Sequence, residues 1–89
     1  MIHVGDVIET FHIAERGLAV MLDTRAEDLP DELCIYIDDP VRVVATNGHE
    51  QDAVVRGIEV RPSVTILLPV DVDPDSVARG DQLFLLRST

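Results

Sequence analysis

The densest group of residues with chemical potential is the run Asp71-Val-Asp73-Pro-Asp75, in which carboxylates alternate along the chain. Alternate carboxylates at the start of a loop can converge on a hard cation such as Ca²⁺. A calcium loop of the EF-hand type also needs glycine at its sixth position and a bidentate glutamate at its twelfth. Those positions hold Ser76 and Gln82. We therefore interpret the run as a capped turn, with Asp73 as the N-cap and Pro74 at the first helical position.

The other chemically active side chains are scattered. A catalytic thiol needs a nearby base, and the sequence supplies no histidine close to Cys34, the one cysteine. The three histidines lack the spacing of zinc ligands, and they are His3, His12 and His49. The chain has no lysine, which excludes a phosphate-loop lysine and a Schiff-base amine. These patterns predict no catalytic residue, no metal site and no cofactor, and therefore a protein that is not an enzyme.

The charge balance restricts the class of partner. Seventeen acidic residues stand against seven arginines, so this chain of 89 residues carries a net charge of −10 at pH 7. Such a field repels a phosphate backbone unless the arginines gather on one face, and nucleic acid is therefore a disfavoured partner. We expect a protein partner or a homo-oligomer instead.

Length and composition predict one small globular domain that covers residues 1–89. No apolar run approaches the ~20 residues of a membrane helix, so no membrane partner is expected. The first residues lack the basic and apolar stretches of a signal peptide, and a lone cysteine cannot build an internal disulfide framework. The expected setting is the cytoplasm.

Apolar residues alternate with period two along most of the chain, which is typical of half-buried strands. The alternating sets are Val7, Phe11 and Ile13; Leu18, Val20 and Leu22; Leu33, Ile35 and Ile37; and Val64, Ile66, Leu68 and Val70. The polar stretch 23–32 between the second and third sets predicts a surface loop with one helical turn. A last strand is expected at 83–86.

Asn47-Gly48 separates the arms 41–46 and 51–60 and predicts a β-hairpin with a type I′ turn, because both residues tolerate positive φ. Gly57 in the second arm predicts a bulge or a bend. About six or seven strands with frequent turn signals indicate an all-β barrel or sandwich. Closure into a barrel is favoured because it removes exposed strand edges.

Three glycine-containing phrases occur in a fixed order: E-R-G-L-A-V-M-L at 15–22, V-V-R-G-I-E-V at 54–60 and A-R-G-D-Q-L at 78–83. In this order they resemble the second domain of translational GTPases such as elongation factor Tu. The resemblance implies a small, closed, six-stranded Greek-key barrel. In that family the barrel contacts the GTPase domain and helps to hold RNA. The family carries a longer basic stretch after its V-x-G-I-E phrase, whereas here Arg61-Pro62-Ser63 leads directly into the next strand.

Alternation places Met21, Tyr36 and Phe84 on an outward face, and Arg56 and Arg61, which flank Gly57-Ile58-Glu59, are expected to form a polar rim around it. The residues predicted to contact a partner are Met21, Tyr36, Arg56, Glu59, Arg61 and Phe84. The leading hypothesis is a noncatalytic binding module that docks a protein partner or self-associates. Two alternatives stay open. One is a translation-related factor associated with RNA or a GTPase, which requires convergence of Arg42, Arg56, Arg61 and Arg79; the other is a small enzyme of unidentified reaction.

Overall fold

The structure is a computed structural model that describes residues 1–30 and 33–87. Seven strands of this part of the chain form one antiparallel sheet: β1 (Ile2–Ile13), β2 (Gly17–Leu22), β3 (Pro40–Val44), β4 (Glu50–Val54), β5 (Gly57–Glu59), β6 (Thr65–Leu68) and β7 (Gln82–Leu85). Their order across the sheet is β4-β3-β7-β1-β2-β6-β5. The predicted all-β class is confirmed.

The sheet is not closed, since its ladder ends at β4 on one side and at β5 on the other. The predicted closed six-stranded Greek-key barrel is therefore not confirmed. The two edge strands are nonetheless consecutive in the chain, separated by Val55 and Arg56. The Val55 N–H donates to the Asp39 carbonyl at 2.9 Å, and the Arg56 N–H donates to the Leu67 carbonyl of β6 at 2.8 Å. The chain thus changes sides at this corner, next to Gly57, where the sequence predicted a bend.

Strand β1 belongs to both halves of the sheet, because its first part pairs with β7 and its second part with β2. A shift of register between Val7 and Glu9 marks a bulge, which adds one residue to the strand. The bulge inverts the phase of the side chains, so that Val7 is buried while Phe11 and Ile13 are exposed. The strict alternation that placed these three residues on one face is wrong for this reason.

The inward side chains of the strands form one apolar cluster. Its fully enclosed members include Leu18, Leu22, Ile66, Leu68, Leu83 and Leu85. Burial of each such side chain contributes about 1.5–3 kcal/mol to folding. Strand β7 lies between β3 and β1, so the last of the seven strands in chain order has an interior position in the sheet.

The alternating segment 33–37 is not a strand, contrary to the prediction. Ile37, which the alternation placed inward, is 53% exposed. Asp38 has a φ of 72°, and the Tyr36 N–H donates to the Asp39 carboxylate at 2.8 Å. Local turn hydrogen bonds therefore satisfy this backbone in place of a strand ladder.

The β3–β4 hairpin is confirmed, but its turn differs from the prediction. The Gly48 N–H donates to the Ala45 carbonyl, and the Ala45 N–H donates to the His49 carbonyl, both at 2.8 Å. Within this turn, positive φ occurs at Gly48 alone, at 89°. A type I′ turn needs positive φ at both central residues, so the loop is instead of the three-residue kind, with Thr46 and Asn47 at its centre.

Both predicted helical turns are present as single turns of 3-10 helix, at Ala26–Asp28 and Pro74–Ser76. In the second, the Asp73 carboxylate accepts a hydrogen bond from the Asp75 N–H at 2.9 Å, as an N-cap does. Residues 31 and 32 of the predicted loop 23–32 lie outside the described residues.

Candidate functional site

The outer face of the half-sheet β1-β2-β6-β5 carries a continuous apolar surface. We define the outer patch as Phe11, Ile13, Ala19, Met21 and Leu67. Phe11 lies directly opposite Ala19, and Ala19 lies directly opposite Leu67. Residues opposite one another on adjacent strands share a face of the sheet and contact each other. The patch therefore crosses three neighbouring strands; Ala19, at its centre, is itself only 8% exposed and lies between the exposed Phe11 and the half-buried Leu67.

A hollow of about 260 Å³ lies within this face. Its lining consists of Ile13, Arg16, Ala19, Gly57, Ile58, Glu59, Thr65 and Leu67. Gly57 lies directly opposite Leu67, and a Cβ added at Gly57 would come within 3.3 Å of the Leu67 Cβ. The absence of a side chain there leaves the flank of Leu67 accessible. Arg16 and Glu59 place one cation and one anion beside the apolar hollow.

Two of the six contact residues predicted from the sequence lie on this face. Met21 belongs to the outer patch, and the register places Glu59, through Thr65, in the same row across the sheet. Arg61 lies in the exposed connection between β5 and β6. The structure therefore brings Met21 and Glu59 to one surface, and Arg56 borders that surface in a depression that it lines with Leu67 and Arg16.

Phe84 lies on the outer face of the other half-sheet, between His3 of β1 and Arg42 of β3. Its ring centroid is 5.2 Å from that of the His3 imidazole. The Arg42 guanidinium is held by Asp52, at 2.6 Å, and by Glu50, at 3.2 Å. The hydrogen bond between Arg42 and Asp52 raises the pKa of Arg42 and lowers the pKa of Asp52.

Tyr36 belongs to a polar corner built around Arg87. The Arg87 guanidinium donates to both Asp39 oxygens, at 3.3 and 3.2 Å, and to the Cys34 carbonyl. It also lies 5.7 Å from the centre of the Tyr36 ring. A hydrogen bond with the Cys34 side chain raises the pKa of Tyr36. These contacts fasten the loop 33–39 to the chain that follows β7.

The pKa of Asp39 is lowered, first by the hydrogen bond from the Tyr36 N–H and then by Arg87. A lowered pKa in the fold means that Asp39 contributes stability above the ordinary carboxyl pKa of about 3.9, and that this contribution disappears as the pH falls through the folded value. We expect Asp39→Asn to lower the free energy of unfolding by about 1–3 kcal/mol at pH 7, and by less at pH 3, which lies below the ordinary carboxyl pKa. Urea unfolding at both pH values measures this difference.

Asp38→Asn is the matched control for this prediction. Asp38 pairs with Arg56 at 2.8 Å, but both side chains are largely exposed. Exposed ion pairs contribute about 0–1 kcal/mol. A penalty for Asp39→Asn that stays the same at pH 3, or that matches the control, would contradict the role assigned to the Asp39 carboxylate.

The arginines required by the RNA-linked alternative do not form a free basic surface. Arg42 is paired with Glu50 and Asp52, and Arg56 is paired with Asp38. Paired guanidinium groups have little remaining attraction for a phosphate backbone. Arg61 and Arg79 lie in two different connections, before β6 and before β7.

A second depression, which we name the edge groove, follows the free side of β4 and has a volume of about 510 Å³. One wall consists of Gln51, Asp52, Ala53, Val54 and Arg56, and the other of Pro69, Asp71, Val72, Asp73 and Ser76. The Gln51 amide donates to the Ser76 carbonyl at 3.2 Å and to the Ser76 hydroxyl at 2.8 Å. This side chain joins the two walls.

Sequence reasoning missed Phe11 and Ile13 as surface residues. The available signal was the adjacent pair Val7 and Ile8, since two consecutive apolar residues interrupt the alternation where the bulge occurs. The edge groove was missed as well, because it depends on how β4 and the segment 69–76 come together in space. Such a pairing leaves no periodic signal in either segment.

Over the described ranges 1–30 and 33–87, no three His, Cys, Asp or Glu side chains gather in a way that could hold a metal ion. The same ranges contain no helix with the length and apolar composition needed to cross a bilayer. Comparison of the chain with protein-family models, with curated proteins and with solved structures gives no match. The resemblance to the barrel of translational GTPases therefore stays a prediction from the sequence.

Proposed function

We propose that this chain is a noncatalytic binding module that docks a partner protein through the outer patch. The observation that carries the proposal is the row of Phe11, Ala19 and Leu67 across three adjacent strands. Phe11 is 44% and Ile13 is 37% exposed although both belong to regular, paired strand. A contiguous apolar surface beside charged residues is typical of protein contact sites.

The unpaired edge of β1 is a second argument for a partner at the outer patch. Pairing of β1 with β7 ends at Asp6, so the strand beyond Val7 pairs with β2 alone. A strand that combines an open edge with exposed apolar side chains is a liability that proteins usually cover. A partner seated on the outer patch would also cover this edge.

The charge of the chain favours a different protein over a second copy. Each chain carries a net charge of −10, so two copies repel one another, while a neutral or basic partner is attracted. Arg16 and Glu59 beside the hollow provide one cation and one anion that fix the orientation of such a partner. Self-association is the competing outcome of the test below.

We further propose that the fold is of the translational-GTPase barrel type and that the module works in the cytoplasm. What supports the first part is that all strand pairs are antiparallel and that the two edge strands meet at the corner beside Gly57. A single cysteine supports the second part. The translation-related alternative receives no support from Arg42 and Arg56, which are paired with carboxylates. The enzyme alternative required a pocket containing His12, and neither the hollow nor the edge groove contains it.

The proposal predicts that Phe11→Ser weakens capture of a stoichiometric partner protein from native cell extract by at least tenfold. Truncation of a central aromatic contact residue costs about 2 kcal/mol or more of binding, which exceeds the ~1.4 kcal/mol of a tenfold loss. Ile37→Ser is the control, because Ile37 is 53% exposed and lines neither the hollow nor the patch. Capture that is unaffected by Phe11→Ser, or recovery of RNA in place of protein, would overturn the proposal.

Light scattering on the purified chain distinguishes binding of a different protein from self-association. A mass that stays that of one chain, with capture sensitive to Phe11→Ser, assigns the patch to a different protein. A mass that rises with concentration in the unmodified chain and not in Phe11→Ser would assign the patch to a second copy and correct the choice of partner made above.

A further inference from the structure

The backbone of β4 has unused hydrogen-bonding groups along the edge groove. The hydrogen bond from the Val55 N–H to the Asp39 carbonyl fixes the phase of the β3–β4 ladder. Because hydrogen-bonded and non-hydrogen-bonded pairs alternate, Gln51 and Ala53 direct their N–H and C=O groups toward β3. The residues that direct theirs away from β3 are Glu50, Asp52 and Val54. In the described part of the chain these outward groups have no hydrogen-bond partner.

The groove beside this edge has room for an extended chain. Strand β4 and the segment 69–73 form its two walls, and they converge at Arg56, whose N–H is bonded to β6. The volume of about 510 Å³ falls within the ~300–1,000 Å³ of typical ligand clefts. Half-buried Ala53 and Val72 give it an apolar floor.

The charges along the groove are mostly negative. Asp71 and Asp73 lie on the wall opposite β4, and no arginine pairs with either within the described residues. Arg56 also lines the groove, but Asp38 neutralises it at 2.8 Å. On the β4 side, Glu50 and Asp52 share one guanidinium, so a net negative charge remains there.

We propose that the edge groove binds an extended cationic segment of a partner protein, which adds to the sheet as an antiparallel strand beside β4. In strand addition the main chain supplies affinity and alternate side chains supply specificity. Residues of the added strand that lie opposite Glu50 and Asp52 have their side chains on the same face as those carboxylates, so basic residues fit there. The residues between them face the groove, where small apolar side chains fit. The segment therefore has basic and apolar residues in alternation.

A second copy of this chain does not fit the same site. Pairing of two β4 edges would place carboxylates opposite carboxylates, and like charges in that position are destabilising. Charged edge strands protect sheets against such self-pairing. Arg42 neutralises only one of the two carboxylates, so the net negative charge that remains attracts a segment of opposite charge.

The test uses a fluorescein-labelled, end-capped peptide Lys-Val-Lys-Val-Lys and measures its binding by fluorescence anisotropy at low salt. We expect it to bind at least tenfold more tightly than Glu-Val-Glu-Val-Glu. Hydrogen exchange by NMR should slow at the amides of Glu50, Asp52 and Val54 when the peptide binds, and should change little at Gln51 and Ala53. Equal binding of both peptides, or no protection at the three outward amides, would overturn the proposal.

Two changes separate strand addition from simple charge attraction. Val54→Pro removes an N–H that has no partner within the fold, and proline is tolerated on edge strands. We expect this variant to bind the peptide at least tenfold more weakly than Val54→Ala does. N-methylation of the lysine amides, which face β4, should abolish binding, while N-methylation of the valine amides should preserve it. The two N-methylated peptides are compared on the unmodified protein, so their comparison does not depend on whether a variant folds. Equal binding by the two N-methylated peptides would sink the proposal.

This proposal is independent of the outer patch. Phe11→Ser should leave affinity for the basic peptide within twofold, because Phe11 does not line the edge groove. If Phe11→Ser loses partner capture and keeps peptide binding, the outer patch and the edge groove are two separate binding sites. A large loss of peptide affinity in Phe11→Ser would contradict the location given to this site.

Discussion

Gly17→Ala is expected to lower the free energy of unfolding by at least about 3 kcal/mol. Gly17 has a φ of 134°, a conformation that residues with a side chain adopt only under strain. A Cβ at this position would also approach the Leu68 carbonyl oxygen more closely than 3.0 Å. That oxygen belongs to the backbone of β6, next to the turn, and cannot rotate away as a side chain could. The backbone strain and the steric clash therefore both lower the stability of the variant.

The loss expected for Gly17→Ala is a large fraction of the free energy of unfolding of the chain. A chain of this length has a stability of about 4–13 kcal/mol. Gly48→Ala is the matched control, since Gly48 also has positive φ, at 89°, but an added Cβ would meet nothing within 4 Å. That variant should lose about 1–2 kcal/mol, the cost of the left-handed conformation alone. Urea unfolding followed by circular dichroism compares the two, and equal losses would show that the Leu68 carbonyl is not the obstacle.

The second large effect is expected for Ile66→Ala, which should cost about 2–5 kcal/mol. Ile66 has no exposed surface and lies on β6 among the enclosed leucines. Truncation there removes buried apolar area and leaves a cavity that neighbouring strands cannot fill. Thermal unfolding should show a correspondingly lower midpoint.

Ile37→Ala makes the same chemical change at a site where sequence and structure disagree. Alternation placed Ile37 inward, which predicts a similarly large loss, whereas the structure exposes 53% of the residue. We expect a loss of less than about 1 kcal/mol, as for surface substitutions. A loss equal to that of Ile66→Ala would mean that the segment 33–37 is packed as the alternation indicated.

These disagreements show what a linear pattern can reveal. The period-two signal identified β1, β2 and β6, because burial of one sheet face leaves its mark on every second residue. The β3–β4 hairpin was identified from its turn dipeptide, Asn47-Gly48. It failed at 33–37, where the same spacing occurs in a loop held by side-chain hydrogen bonds to the backbone, such as that of Asp39 with Tyr36. Alternation reports which residues avoid water and does not report whether a partner strand exists.

The candidate surfaces were predictable only in part. Met21 was identified because it lies in a strand whose phase is uninterrupted, and Glu59 because it lies between Arg56 and Arg61 in the sequence. Phe11 and Ile13 were assigned to the wrong face because one additional residue at the bulge reverses every later side chain in β1. The unpaired edge of β4 depends on where the ladder ends, a property of the whole sheet that no local segment encodes.

The interior position of β7, between β3 and β1, affects the order in which the sheet can form during biosynthesis. Strands β1 and β3 flank a strand whose residues, Gln82–Leu85, are translated after all the others. A nascent chain that ends before residue 82 can form the two flanking hairpins but cannot join them. The core can therefore assemble only after residues 82–85 have been synthesised, and the apolar faces of both hairpins remain exposed until then.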